Sequence, residues 1–364
     1  MTALLLTAGT LTGVASAQPA AAATAGVPWS HVGVGWVLAQ YTTAQPEGGK
    51  TGPSTLYLIS PGGAKYKVAS WPDERFAPQL LAWSPDGKRA LLQVFSGKGG
   101  VEIRTLATGQ TDTFALPAGA TPTGFTTPDG RNIVASRLSG SQTTLARYNL
   151  SGKLTRSLGS SVDGAALYEP SGAAFATGAG AGLKLVSNNG DLIRKLPVPG
   201  TSANTCNPAR WWNSGTILAS CSPSGTAVNQ LWLVPVNGGR PTALTPRRSA
   251  SASSGDLGDL DAWSLSSGLY LQSAGPCGVL QIFRQATGGS IKRITVPHTT
   301  GDNVVLSASG SRLLVQAPTS CVGSNSLLWY NPGTHAEQWL IRAPASAVGV
   351  VYAVPFYSRQ NSGF

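Results

Sequence analysis

Asp256, Asp259 and Asp261 fall within six positions of a 364-residue chain. Carboxylate oxygens at that density are the ligand type that Ca2+ takes. Arg247 and Arg248 precede them, so the segment runs basic, then Ser-rich, then acidic. Its spacing differs from the twelve-residue calcium loop of helix–loop–helix sites, so a solvated loop is the competing reading. A second cluster is Trp71, Arg75 and Phe76, the residue types that dominate protein-binding hot spots. The competing reading has Trp71 and Phe76 capping a sheet edge.

The four cysteines suggest oxidised pairs. Cys206 and Cys221 flank Asn213-Ser214-Gly215 and would face each other across a hairpin centred there. Cys277 and Cys321 stand 44 residues apart, about one repeat. In an exported chain these spacings predict two disulfides. Zinc is the rival, but there is no C-x2-C pair and His31, His298 and His335 are scattered.

No catalytic residue is assigned. G-x-S-x-G, the strained serine elbow of hydrolases, does not occur, and neither does H-E-x-x-H. Asp86 and Asp129 recur, but inside Pro-Asp-Gly turns, where an Asp side chain bonds the following backbone.

Those turns reveal the elements that must position everything else. Ser84-Pro85-Asp86-Gly87, Thr127-Pro128-Asp129-Gly130 and Pro170-Ser171-Gly172 are followed by degraded versions ending at Gly215, Gly268 and Gly310. The glycines step by 43, 42, 43, 53 and 42 residues. A period of roughly 40–45 residues marks a propeller or another repeat array. Around Gly87, short apolar segments alternate with turns to give four strands, A to D. A second turn, between C and D, recurs at Gly62-Gly63, Gly109, Gly152, Gly190, Gly238-Gly239, Gly288-Gly289 and Gly333. The chain is therefore expected to be all-β: a seven-bladed β-propeller with four-stranded blades. Blade 1 lacks an A–B hairpin of its own. Val348–Tyr357 is expected to supply its innermost strand A and Val32–Tyr41 its strand B, so both chain termini close that blade.

Residues 1–25 read as a signal peptide, with Leu4-Leu5-Leu6 opening an apolar stretch and Ala15-Ser16-Ala17 as a cleavage pattern. A basic start to that segment is missing, as is expected if translation begins upstream of Met1. Residues 26–364 are then a single propeller domain without a transmembrane span. The net charge of +11 suits anionic cell-wall polymers, phospholipid headgroups or acidic proteins, with a merely solvated positive surface as the competing reading. Nucleic acid is not expected, because no element combines aromatic and basic residues in one stripe.

Trp83-Ser84-Pro85-Asp86-Gly87-Lys88 before an apolar strand resembles the repeat of TolB-type propeller proteins. So does Leu231-Trp232-Leu233-Val234-Pro235-Val236-Asn237-Gly238-Gly239-Arg240-Pro241, running into Ala243-Leu244-Thr245. The resemblance runs from about residue 30 to the end. It implies a propeller with an envelope-associated role, and the motif is shared with the propellers of certain peptidases.

The expected function is non-catalytic binding of a protein or cell-wall partner by a secreted or envelope-associated monomer. The 53-residue step places an insertion of about ten residues in the D–A connection that holds Arg247, Arg248 and the three aspartates. Trp71, Arg75 and Phe76 occupy another D–A connection. D–A and B–C loops share one face, and all four cysteines fall toward it. The alternative is a hydrolase or lyase acting on a sugar or lactone at the central channel.

Overall fold

The computed structural model describes residues 26–356 apart from 46–49, 96–99, 141, 162–163, 224–227, 251–255, 276–278 and 319–323. The signal-peptide segment, Cys277 and Cys321 lie outside the described residues.

Blade 2 shows how the sequence folds. Strand A (Gln79–Trp83), B (Arg89–Val94), C (Gly100–Thr105) and D (Thr111–Phe114) pair in order, all antiparallel. Five further blades repeat this order, with A strands beginning at Ala120, Leu167, Thr201, Asp259 and Val304. Blade 1 is assembled from both ends of the fold. Gly349–Pro355 pairs with Val37–Thr42, which continues to Ser54–Ile59 and Lys65–Trp71. The ends are tied on either side: Val348 N–H donates to the Ala44 carbonyl at 2.8 Å and Phe356 N–H to the Trp36 carbonyl at 2.9 Å. Blades 7 and 1 also touch through one parallel pair, Asn325 with Gly349.

Burial confirms the ring. Among the described residues, most buried apolar residues fall into seven clusters, each lying between two successive blades. One joins blades 7 and 1 through Val37, Ala39, Leu327 and Trp329. Each sheet thus packs both faces, as a propeller requires. The residues before the A–B turns serve these seams: Trp83 meets Phe356 edge-on at 5.1 Å, and Trp211 Nε1 donates to the Leu167 carbonyl of blade 4 at 3.3 Å.

The Pro-Asp-Gly turn is built by backbone chemistry. Asp86 Oδ1 accepts from Ser84 Oγ at 2.6 Å and Lys88 N–H at 3.1 Å, while Gly87 takes φ +75°. Arg89 donates to Asp86 Oδ2 at 2.8 Å and to the Asp129 carbonyl of the next blade at 2.8 Å. One turn is thereby fastened to its successor.

Strand B carries a second regularity. It reads three apolar residues followed by Gln, Ser or Thr in all seven blades, as in Val37-Leu38-Ala39-Gln40, Ile217-Leu218-Ala219-Ser220 and Leu313-Leu314-Val315-Gln316. The polar fourth residue reaches the start of the next blade's strand A in several blades. Gln40 donates to the Pro78 carbonyl at 3.0 Å and accepts from Leu80 N–H at 2.9 Å. Ser220 donates to the Asp259 carbonyl at 2.6 Å, and Gln316 to the Val350 carbonyl at 2.9 Å.

Candidate functional site

The D–A and B–C connections emerge on one face, and two of the D–A loops carry the charged and aromatic residues singled out by sequence. Between blades 1 and 2, Asp73 caps a short 3-10 turn, Glu74–Phe76, by accepting from Arg75 N–H at 3.0 Å. Glu74 accepts from Gly52 N–H of the neighbouring B–C loop at 2.7 Å. Gln40 holds the loop's exit at Pro78. The loop is therefore fixed at both ends.

This rigid turn displays Arg75 and Phe76. The Arg75 guanidinium lies 5.7 Å from the Phe76 ring centre and bonds both Asp73 oxygens. The Arg75 side-chain hydrogen bond holds the Asp73 carboxyl below its ordinary range. Trp71 does not share this exposure. It is buried in the seam between blades 1 and 2, with the Arg104 guanidinium 5.5 Å from its ring. Large apolar side chains prefer such a seam to water, so Trp71 supports the loop rather than presenting itself.

Other apolar side chains continue the display. Phe76 is 69% exposed, Phe95 at the B–C end of blade 2 is 64% exposed and Leu138 at the B–C end of blade 3 is 69% exposed. A cleft of about 200 Å³ opens beside Phe95, walled by Val101, Leu116 and Pro122. Sequence inspection missed Phe95 and Leu138. Phe95 directly follows strand B of blade 2 and Leu138 lies in the exposed end of strand B of blade 3, and no local pattern distinguishes either from a core residue.

The inserted connection between blades 5 and 6 is organised by Arg248. Its Nε donates to Asp256 Oδ2 at 2.6 Å, and its Nη1 to Asp259 Oδ2 at 2.6 Å. Its Nη2 reaches Asp256 Oδ1 at 3.0 Å and Asp259 Oδ1 at 2.6 Å. Both carboxylates are buried. Ser273 Oγ and Gly258 N–H complete their coordination at 2.8 and 3.0 Å. Burial pulls the Arg248 pKa down, but the hydrogen bonds it donates to Asp259 and Asp256 outweigh this and the pKa is raised. Gly258 permits the close approach. Its φ is +123°, and a Cβ there would stand 2.7 Å from Asn229 N.

The three aspartates do not converge on one another. Asp256 and Asp259 face Arg248, whereas Asp261 forms an ion pair with Arg210 of blade 5, whose guanidinium lies 4.3 Å from the Trp263 ring centre. Guanidinium groups occupy the oxygens that a Ca2+ cage would need. Among the described residues, no group of three His, Cys, Asp or Glu side chains could hold a metal. Arg247, next to Arg248, is exposed at the loop surface.

The disulfide sits beside this clamp. Cys206 and Cys221 are direct partners across strands A and B of blade 5 and are bonded, with Cα atoms 4.1 Å apart. Cys221 is followed within the fold by the Ser222–Asn229 contact at 2.5 Å and by the Asn229–Gly258 bridge to the inserted loop. A covalent link and a buried ion cluster thus stiffen the same end of blades 5 and 6.

No family model and no curated protein sequence matches the chain. Solved structures do. A puromycin-hydrolyzing peptidase of Mycobacterium tuberculosis is 15% identical with a TM-score of 0.52, over 85% of this chain and 52% of that one. A prolyl endopeptidase is 12% identical with a TM-score of 0.57, over 90% and 51%. The chain spans about half the length of these two peptidases. TolB from Acinetobacter baumannii is 16% identical, over 88% of this chain and 66% of that one, with a TM-score of 0.44. At these identities the likeness is one of fold, and the fold is a β-propeller.

Proposed function

We propose that the protein is an exported propeller that binds a protein partner through its D–A/B–C loop face. The observation that carries the reading is the display of Phe76, Phe95 and Leu138, with Arg75 beside the first, on a face whose connections are fixed from within. Exposed aromatic and Arg groups on a preorganised support bind with little ordering cost. The Cys206–Cys221 bond and the apolar segment before residue 26 support an oxidising, extracytoplasmic location. TolB-like repeat motifs support an envelope association. Charged groups on the inner strands of blades 5 and 6, Arg210 and Asp261, are paired with each other.

Site-specific photocrosslinking at position 76 tests the reading on intact cells. One discrete adduct is expected, and it should be lost when Phe95 and Arg75 are replaced by Ala. An unchanged adduct pattern in that variant, or adducts formed equally from position 65 on the outer edge of blade 1, would sink the proposal.

A further inference from the structure

The outer edges of blades 3 and 4 differ from those of blades 2 and 6. The first four residues of strand D are exposed in both: Leu154-Thr155-Arg156-Ser157 and Leu192-Ile193-Arg194-Lys195. Leu154 is 55% exposed, Leu192 52% and Ile193 50%. In blades 2 and 6 the end residues of strand D, Phe114, Ile291 and Ile294 among them, are instead partly covered.

The cations on these edges are placed against ordinary sheet energetics. Arg147 and Arg156 are direct cross-strand partners, and so are Lys184 and Lys195. Like charges facing each other across a sheet are destabilising. Blade 3, residues 117–161, holds Arg131, Arg137, Arg147, Lys153 and Arg156 against a single acid, Asp129, which pairs with Arg131. Among the described residues, no salt bridge neutralises Arg156, Arg194 or Lys195. Asp191, beside Leu192, accepts from Ser187 Oγ at 3.3 Å.

The two edges form one surface. Gly190, in the C–D turn of blade 4, packs so closely on blade 3 that a Cβ would stand 2.7 Å from the Ser157 carbonyl oxygen. Arg147 donates across the seam to the Asn188 carbonyl at 2.8 Å. Leu154 and Arg156 therefore lie beside the turn that leads into Leu192, Ile193, Arg194 and Lys195.

We propose that this flank docks on an anionic lipid surface. Its cations match headgroup phosphates, and the leucines and isoleucine between them match the headgroup–acyl boundary. A soluble polyanion would use the cations and leave the apolar side chains in water. Another strand added to either edge would have to approach uncompensated Arg and Lys side chains, which is how sheets discourage such pairing. The flank is separate from the loop face, so the two surfaces can be occupied together.

Cosedimentation of the purified protein with vesicles tests this. Binding to equimolar phosphatidylglycerol and phosphatidylcholine, and not to phosphatidylcholine alone, is expected, with weakening as salt rises. Arg156→Ser with Lys195→Ser should lower partitioning roughly 30-fold, from the usual contribution of a basic residue at an anionic surface. Leu154→Ser with Ile193→Ser should also weaken binding. Lys65→Ser with Lys67→Ser, the same charge loss on the edge of blade 1, should not. A Phe76→Ala variant should bind vesicles normally, which separates this surface from the loop face. Absence of binding to anionic vesicles, equal loss in the blade 1 control, or binding to soluble polyphosphate as strong as to vesicles and indifferent to the Leu154 and Ile193 changes would each overturn the proposal.

Discussion

Gln272 of blade 6 accepts the backbone N–H of Val305 at 2.6 Å and donates to the Asn303 carbonyl at 2.9 Å. One side chain therefore satisfies the entry of blade 7's inner strand, and its Nε2 also meets the Gln281 carbonyl at 2.9 Å. Gln40 does the same for blade 2, at Leu80 and Pro78. Blade-to-blade attachment in this ring is a polar stitch at the edge of an apolar seam.

Replacing Gln272 by Leu keeps the volume and removes the stitch. Buried backbone groups at Val305 and Asn303 lose their partners, which should cost about 3 kcal/mol. Urea unfolding of the two proteins measures this. The exposed Gln142 gives a control that should change little. Equal midpoints for wild type and Gln272→Leu would contradict the assignment.

Arg248 is expected to be the costliest single residue of the inserted loop. Arg248→Ala leaves Asp256 and Asp259 buried without a counter-charge, a loss of about 3–5 kcal/mol. Thermal unfolding in the presence and absence of Ca2+ completes the test. The wild-type midpoint should be indifferent to Ca2+, because the carboxylates already hold Arg248. A rise in that midpoint would restore the calcium reading.

The Cys206–Cys221 bond closes a loop with a separation of 15 residues. Its replacement by two serines should lower stability by about 3 kcal/mol. Peptide mapping without reduction should recover the linked pair. The same map answers whether Cys277 joins Cys321, as their one-repeat spacing predicts.

Asp86 makes part of the stability acid-sensitive. Burial raises its pKa, but the Ser84 hydroxyl, the Lys88 N–H and Arg89 outweigh that and hold the carboxyl below its ordinary value. A lowered folded pKa means that the contribution is complete above the unfolded value of about 4 and is lost as pH falls through the folded one. The stability gap between wild type and Asp86→Asn should therefore close in acid below about pH 4. A gap that widens there would have the wrong sign.

Deleting the chain from Val348 onward removes strand A of blade 1 and the Phe356–Trp83 contact. The two-ended blade should open, and unfolding should lose its single cooperative transition. A truncated protein that melts as sharply as the parent would show that the ring closes without this strand.

The turns at Gly87, Gly130 and Gly172, and the C–D turns from Gly62 to Gly333, made the blades countable, because tight turns need particular residues at fixed offsets. The closing strand was legible from the likeness of the two terminal segments, and the Cys206–Cys221 pairing from hairpin symmetry. The Gln, Ser or Thr at the fourth place of strand B was equally present in the sequence. Its role was not legible, since its partners lie in the next blade.

Asp256, Asp259 and Asp261 mark the limit of sequence. Their spacing along the chain suggested a shared cation, but the strand directs Asp261 to Arg210 while the loop folds Arg248 onto the other two. Trp71 could be read from sequence as part of a binding cluster with Phe76 or as a cap on a sheet edge, and the structure buries it in the seam between blades. Local residue chemistry by itself determined turns, strands and their number, because those depend on neighbours in the chain. Only the tertiary structure decided which charges neutralise one another, which aromatic rings meet water and which cations on blades 3 and 4 stand together, because those depend on residues brought close by ring closure and blade packing.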